Sequence, residues 1–213
     1  MIRKTANSVF TFCGILFLFV ERAGATTVVP MNLVDLSASA SEVVVGKVIR
    51  SKAIPTYDKA GRVLSVSSEI RIAVDRYLKS RTGGETGSPY VTLYEYGGVV
   101  GDTTIRVSDA PEYIPGENVL LFLKASSRGL NRTLGLYQGK FSIRMTASGQ
   151  SEVSGRIGKP LSEDLPFVTS ESGDGPSEIR MDLDEFETRI EGLIGLAERA
   201  SVVSPAATGS DRE

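Results

Sequence analysis

The apolar residues between positions 42 and 145 come in short runs that turn-forming residues separate. Glu42 to Ile49 is rich in β-branched side chains, Val119 to Leu123 is apolar at every position, and residues 69 to 75 alternate between apolar and polar. Short runs of this kind, bounded by Gly, Pro and Asp, are typical of the strands of a compact barrel or sandwich. The sequence therefore predicts a mainly β chain with a small antiparallel barrel.

Seven short strands and two helices account for this pattern. The predicted strands cover residues 42–49, 69–75, 90–96, 103–107, 119–123, 133–137 and 140–145. A short helix is predicted over 33–40, with Asn32 as its cap. An amphipathic helix is predicted over 181–200 because its apolar residues form one stripe: Leu183, Phe186, Ile190, Leu193, Ile194 and Ala197. We expect this helix to pack on the barrel.

The chain begins with the pattern of a secretory signal. Basic residues at Arg3 and Lys4 precede the largely apolar run 9–20, and the small residues Ala23 to Ala25 follow. The run is shorter than the about 20 apolar residues that a transmembrane helix needs. We expect cleavage between Ala25 and Thr26, a periplasmic or secreted protein, and no stable membrane span afterwards.

Composition shifts divide the rest of the chain. Residues 26–145 are predicted to form the barrel domain with its N-terminal helix. Residues 146–180 are rich in Ser, Gly, Glu and Pro, which predicts an extended linker between the barrel and the helix at 181–200. Residues 201–213 are predicted to be a disordered tail.

The absence of histidine, and of cysteine outside the predicted signal, excludes several chemistries. The 213 residues include no histidine and one cysteine, Cys13, which lies in the predicted signal. Imidazole general bases, His or Cys zinc sites, a Ser-His-Asp triad and a thiol nucleophile are excluded. The formal net charge is −2, and removal of the basic signal makes the chain more acidic, so we expect no nucleic-acid partner. No cofactor or metal is expected.

The candidate ligand surface lies on the strand at 90–96 and the double glycine after it. Tyr90, Tyr94 and Tyr96 share one face and could stack against a sugar or a peptide next to Gly97 and Gly98. The alternative is that the C-terminal helix covers the tyrosines, since a central strand is normally covered on both faces. The stretch 97–101 lacks the Lys-Ser/Thr of a phosphate loop and is predicted to be a hairpin tip.

Carboxylates are the remaining acid–base groups. Five lie in or near predicted loops: Glu95, Asp102, Asp109, Glu112 and Glu117. A pair about 5 to 10 Å apart could hydrolyse a glycoside. Their spacing singles out no pair, and the simplest interpretation of each is a solvated loop charge.

Five segments, in order, carry a resemblance to known proteins: Ser41 to Val48, Ile70 to Lys79, Gly97-Gly98, Pro111 to Leu123 and Gly135 to Phe141. Together they resemble an uncharacterised group of exported bacterial proteins with an OB-like barrel. More distantly, the order of helix, barrel and helix is similar to the netrin-like module of tissue inhibitors of metalloproteinases. The resemblance implies an OB-like barrel and an inhibitory role.

One element of the inhibitor family is missing. In that family the N-terminal cysteine binds the protease zinc, whereas here the expected N-terminus is Thr26 and no cysteine follows it. The zinc-binding mechanism is therefore not carried over. What the resemblance leaves is a barrel with exposed loops and a free N-terminal segment that could insert into a partner.

The sequence thus predicts an exported, non-catalytic binding module. The expected partner is an extracytoplasmic protein, with protease inhibition as one form of that binding. Two alternatives stay open. One is an envelope polysaccharide hydrolase that uses loop carboxylates, and the other is a structural component of the envelope.

Overall fold

A computed structural model describes residues 28–81, 88–126, 129–158, 168–170 and 176–203. The predicted signal peptide, its cleavage site at Ala25 and Thr26, and most of the predicted tail lie outside these residues. The described chain is mainly β, as predicted. Its elements are α1 (Leu33–Ser39), β1 (Glu42–Tyr57), β2 (Val63–Lys79), β3 (Tyr90–Tyr96), β4 (Gly98–Val100), β5 (Thr103–Ile105), β6 (Asn118–Ala125), β7 (Asn131–Thr133), a 3-10 turn (Leu136–Gly139), β8 (Lys140–Met145), β9 (Ser151–Ile157), β10 (Val168–Ser170), β11 (Ser177–Asp182) and α2 (Leu183–Val203).

Five strands close into a ring. Their order is β1-β2-β3-β7-β6, and β6 pairs back onto β1. The β3–β7 pairing is parallel, so the expectation of an entirely antiparallel barrel was wrong at this one seam. The OB-like barrel itself is confirmed. Its interior is apolar and includes Val44, Val48, Ile70, Ile72, Leu93, Val119, Leu121 and Leu123.

The ring requires a glycine where β1 bends along β2. The pairing of these strands shifts register between Val45 and Gly46. A Cβ atom on Gly46 would lie 2.2 Å from the carbonyl oxygen of Ala73. The two backbones can approach this closely only because position 46 has no side chain.

The sheet continues beyond the ring from β6. The first half of β6 pairs with β8, and its last residues pair with β7. Strands β9, β11 and β10 then extend the sheet from β8. Residues 146–180 therefore contribute three strands instead of the expected extended linker. Val153, Ile157, Ile179 and Met181 are buried there, and this burial explains why a polar segment forms strands.

Both helices cover the outer side of the ring and of this extension. Asn32 caps α1, where its Oδ1 accepts a hydrogen bond from the Asp35 N–H at 2.8 Å. Asp182 caps α2, where its Oδ1 accepts from the Asp184 N–H at 2.9 Å. The second core lies between the helices and the sheet, and it includes Leu36, Phe122, Phe141, Val153, Phe186 and Ile190. The predicted packing of the C-terminal helix on the barrel thus matches the observed arrangement.

The predicted strand at 133–137 was wrong. Gly135 and Leu136 have φ values of 64° and 59°, so the chain leaves the sheet after Thr133 and forms the 3-10 turn. Within this turn, the buried Gln138 side chain accepts from the Met31 N–H at 2.6 Å and donates to the Val29 carbonyl at 3.0 Å. Residues 29–31 are therefore held against the barrel, which differs from the expected free N-terminal segment.

Candidate functional site

The predicted tyrosine face exists and is exposed. Along β3, Val91 and Leu93 are buried in the ring, whereas Tyr90 and Tyr96 are 46% and 51% exposed. The C-terminal helix packs on a different part of the outer surface, where the second core includes Phe122 of β6 and Phe141 of β8. The alternative in which this helix covers the tyrosines was wrong.

Arginines from neighbouring strands stack on two of these tyrosines. The Arg71 guanidinium lies 4.4 Å from the centre of the Tyr90 ring, and the Arg132 guanidinium lies 3.9 Å from the centre of the Tyr96 ring. Contacts of this kind are worth about 0.5 to 1 kcal/mol at exposed sites. Sequence reasoning missed the arginines because they lie on β2 and β7, far from β3 along the chain.

Three more cations share the outer side of the sheet. Residues directly opposite each other in paired strands point to the same face. Arg71 is opposite Thr92 on one side and Arg50 on the other. A second row across β1, β2 and β3 consists of Lys52, Glu69 and Tyr94. A third row consists of Lys47, Ala73 and Tyr90. We call this surface the basic face, and it consists of Lys47, Arg50, Lys52, Arg71 and Arg132 with Tyr90, Tyr94 and Tyr96.

The basic face has an unbalanced charge. Among the residues that face one another across β1, β2 and β3 on this surface, Glu69 is acidic. Its carboxylate forms an ion pair with Arg50 and accepts a hydrogen bond from the Tyr94 hydroxyl at 3.4 Å. Lys47, Lys52 and Arg71 are exposed, and none forms an ion pair with another described residue. The surface is thus locally positive on a chain whose formal net charge is −2.

Gly97 and Gly98 follow β3 and lie outside the basic face. Gly97 has a φ of 91° and donates its N–H to the Val66 carbonyl at 2.9 Å. A Cβ atom on Gly98 would lie 2.9 Å from the Ser68 hydroxyl oxygen. These glycines let the β4–β5 hairpin cross close over β2. The stretch 97–101 was predicted to be a hairpin tip, but residues 98–100 form the first strand of this hairpin and the turn begins only at Gly101.

A cleft opens beside this hairpin. It lies between the end of the ring, the β4–β5 hairpin and the loop 106–114, and its volume is about 1010 Å³. Gly97 and Gly98 line it, and so does Tyr96. Several large apolar side chains that line the cleft are exposed, and we call them the apolar rim: Tyr96, Val99, Val107 and Ile114.

Glu95 is the buried polar group of this cleft. It is 3% exposed and follows Val91 and Leu93 on the inner side of β3. Its Oε1 accepts hydrogen bonds from the N–H and the hydroxyl of Thr133, at 2.7 and 2.6 Å. The interpretation of Glu95 as a solvated loop charge was therefore wrong. The period-two alternation of β3 carried the correct signal.

Tyr113 completes a buried hydrogen-bonded chain with these two residues. Its hydroxyl lies within hydrogen-bond distance of Thr133 Oγ1. Because the single O–H of Thr133 donates to Glu95, the Tyr113 hydroxyl must donate to Thr133. Burial raises the pKa of Glu95, and the hydrogen bonds from Thr133 and the charge of Arg132 oppose that rise. Burial, with the nearby Glu95 charge, also holds the pKa of Tyr113 well above its ordinary value.

The structure brings together three of the five candidate carboxylates. Asp109 and Glu112 line the same cleft as Glu95. Asp102 lies in the turn between β4 and β5, outside the cleft lining. Glu117 also lies outside it, and accepts hydrogen bonds from Lys140 Nζ at 2.8 Å and from the Ser142 hydroxyl at 2.6 Å. Glu117 is thus a paired structural group.

Within the described ranges, no three His, Cys, Asp or Glu side chains are close enough to hold a metal ion. No helix in that part of the chain is long and apolar enough to cross a membrane. The sequence matches no protein-family model and no curated protein.

Proposed function

We propose that this protein is an exported, non-catalytic interaction module that binds an extracytoplasmic protein through the basic face. The observation that carries the proposal is the charge of that face, where five cations and three tyrosines surround one paired carboxylate. Charge complementarity steers partners together, and Tyr and Arg are enriched at protein interfaces. The partner is a protein with an acidic surface.

The shape of the basic face supports a macromolecular partner. Its side chains stand on the outer side of a sheet, whereas small-molecule sites are concave. Export rests on the signal pattern of residues 1–25. The resemblance to inhibitors of metalloproteinases makes a protease the first class of partner to test.

The test compares two charge-reversed proteins that carry the same net charge. In the first variant, Lys47→Glu and Lys52→Glu reverse two exposed cations of the basic face. In the control, Lys59→Glu and Arg144→Glu reverse two exposed cations that lie outside it. None of the four side chains forms a hydrogen bond or an ion pair with another described residue, so both variants should fold.

Each purified protein is immobilised and exposed to the extracytoplasmic fraction of the source organism. The wild type and the control should retain the same protein, the face variant should lose it, and retention should weaken as salt is raised. A captured protein that all three proteins retain equally, or an empty column for all three, would contradict the proposal.

A second candidate, an envelope polysaccharide hydrolase, is favoured by one observation. The cleft holds three carboxyl groups, and burial raises the pKa of one of them, Glu95, as a general acid requires. The hydrolase hypothesis expects turnover of envelope polysaccharide that Glu112→Gln abolishes while the melting temperature stays constant, and that Glu95→Gln abolishes in protein that is still folded. Absence of turnover by the wild type would exclude this candidate.

A further inference from the structure

The two oxygens of the Glu95 carboxylate have different environments. Both hydrogen bonds from Thr133 go to Oε1. Within the described part of the chain, Oε2 accepts no hydrogen bond, and Glu95 lines the cleft. The side chain is held in place through one oxygen, and the second oxygen is available to a ligand.

A carboxylate in this position is best complemented by a cation. Removing a carboxylate from water costs free energy unless a charged, hydrogen-bonding partner replaces the water. No described lysine or arginine forms an ion pair with Glu95. Arg156, which also lines the cleft, has its guanidinium 4.7 Å from the centre of the Tyr137 ring. The lysines and arginines in the described ranges thus leave Glu95 without a salt bridge.

The apolar rim suits the stem of such a cation. Val99 and Ile114 are 61% and 67% exposed at the cleft, where their side chains could cover methylene groups. Lysine and arginine combine an aliphatic stem with a charged head, so the stem packs on apolar surface while the head forms hydrogen bonds. The cleft volume also exceeds what one side chain fills, which leaves room for the flanking peptide.

We infer that the cleft binds a peptide segment that places a lysine or arginine side chain against the rim, with its charged head on Glu95 Oε2. This site adjoins the basic face, with which it shares Tyr96, but its charged contact is Glu95 and it does not depend on the partner proposed there. It gives the protein a second binding site with the opposite charge preference.

Protonation of Glu95 should control this binding. Burial favours the neutral form of Glu95, whereas a bound cation favours the carboxylate, so binding must lower the pKa of Glu95. The other charged or titratable groups that line the cleft or act on the hydrogen-bonded chain are Tyr96, Arg106, Asp109, Glu112, Tyr113, Glu117, Arg132, Lys140 and Arg156. Asp109 and Glu112 add attraction for a cation, and the three arginines oppose it.

The experiment uses two blocked tripeptides that differ in one ammonium group. Acetyl-Gly-Lys-Gly-amide is titrated into the purified protein, and acetyl-Gly-norleucine-Gly-amide serves as its neutral counterpart. NMR follows the Glu95 carboxyl carbon and the amides of Gly97 and Gly98. We expect the lysine peptide to shift these signals, to lower the pKa of Glu95, and to bind more tightly than the norleucine peptide by about tenfold.

Two further measurements separate binding from folding. Glu95→Gln retains an oxygen that can accept the Thr133 N–H, and it should bind both peptides equally weakly. In the wild type, affinity for the lysine peptide should fall as pH is lowered through the pKa of Glu95, while affinity for the norleucine peptide should not. If the two peptides bind the wild type alike, or if the pKa of Glu95 does not move, the inference is overturned whether or not the variant folds. If the lysine peptide binds the cleft as expected but the capture experiment finds no partner for the basic face, only the proposed function is contradicted.

Discussion

The Glu95 carboxylate on β3 accepts hydrogen bonds from both the backbone N–H and the hydroxyl of Thr133 on β7. These strands form the parallel seam of the ring, and Leu93 and Asn131 are the pair registered between them. Two residues beyond Asn131, the N–H of Thr133 is satisfied by the Glu95 side chain and not by the backbone of β3. Glu95 closes the barrel where the ladder between its strands is shortest.

The hydroxyl of Thr133 should contribute strongly to stability. Thr133→Val keeps the shape of the side chain but leaves the Tyr113 hydroxyl without its acceptor and removes one bond to Glu95, so we expect a loss of about 2 to 3 kcal/mol in the free energy of unfolding. Urea denaturation measures it. Thr133→Ser retains the hydroxyl and should lose much less. Equal stabilities of the two variants would show that the buried chain contributes little.

Glu95 should give the fold a particular pH dependence. The pKa of Glu95 in the folded state is raised above its ordinary value of 4.5. The folded protein thus binds this proton more tightly than the unfolded chain does, and stability falls as pH rises from the ordinary pKa through the raised one. Denaturation of the wild type and Glu95→Gln across this pH range isolates the effect. As pH rises, the wild type should lose unfolding free energy relative to Glu95→Gln. A difference that stays constant with pH would contradict the raised pKa of Glu95.

The same glycine-to-alanine change should have opposite effects at two positions. Gly46→Ala places a Cβ atom 2.2 Å from the Ala73 carbonyl oxygen and should cost about 3 kcal/mol or more. Gly192 lies in α2 with no atom near its would-be Cβ, so Gly192→Ala should stabilise the protein by about 0.5 to 1 kcal/mol. Thermal and urea unfolding of both variants check the signs. A stable Gly46→Ala variant would contradict the close approach of β1 and β2.

The helix α2 should be essential to the second core. The Phe186 ring is fully buried, with its centre 4.9 Å from that of Phe141. Phe186→Ala should therefore reduce the free energy of unfolding by about 3 to 5 kcal/mol. Leu196→Ala on the exposed side of the same helix should change it by about 0.5 kcal/mol or less. Equal effects of the two substitutions would mean that α2 is not docked in solution.

Sequence patterns predicted the elements whose periodicity is regular. Strand β3 was predicted at its observed bounds, and the predicted strand from Val119 to Leu123 lies within β6, which borders β1, β7 and β8. The predicted helix cap Asn32 was also correct. Local signals were sufficient here because the side chains that define each element are close together along the chain.

The strands β9 and β11 were missed because tertiary contacts form them. Between Val153 and Ile157, the alternation is interrupted by Gly155, where a Cβ atom would lie 2.4 Å from the Phe141 ring. The glycine makes room for a phenylalanine on another strand, and this reduces the apolar signal of its own strand. Glu95 was misjudged for a related reason, since its partner Thr133 lies 38 residues away.

Strand β6 is synthesised well before α2, although residues of both belong to the second core. The outer sides of β1 and β6, at Val43, Val45, Leu120 and Phe122, belong to the second core, which is complete only when Phe186 and Ile190 of α2 have joined it. A ribosome adds about 5 to 20 residues per second, so these apolar side chains stay uncovered for seconds after β6 has emerged. A nascent chain of this protein therefore presents an incompletely covered apolar sheet surface to holding chaperones until α2 has been made.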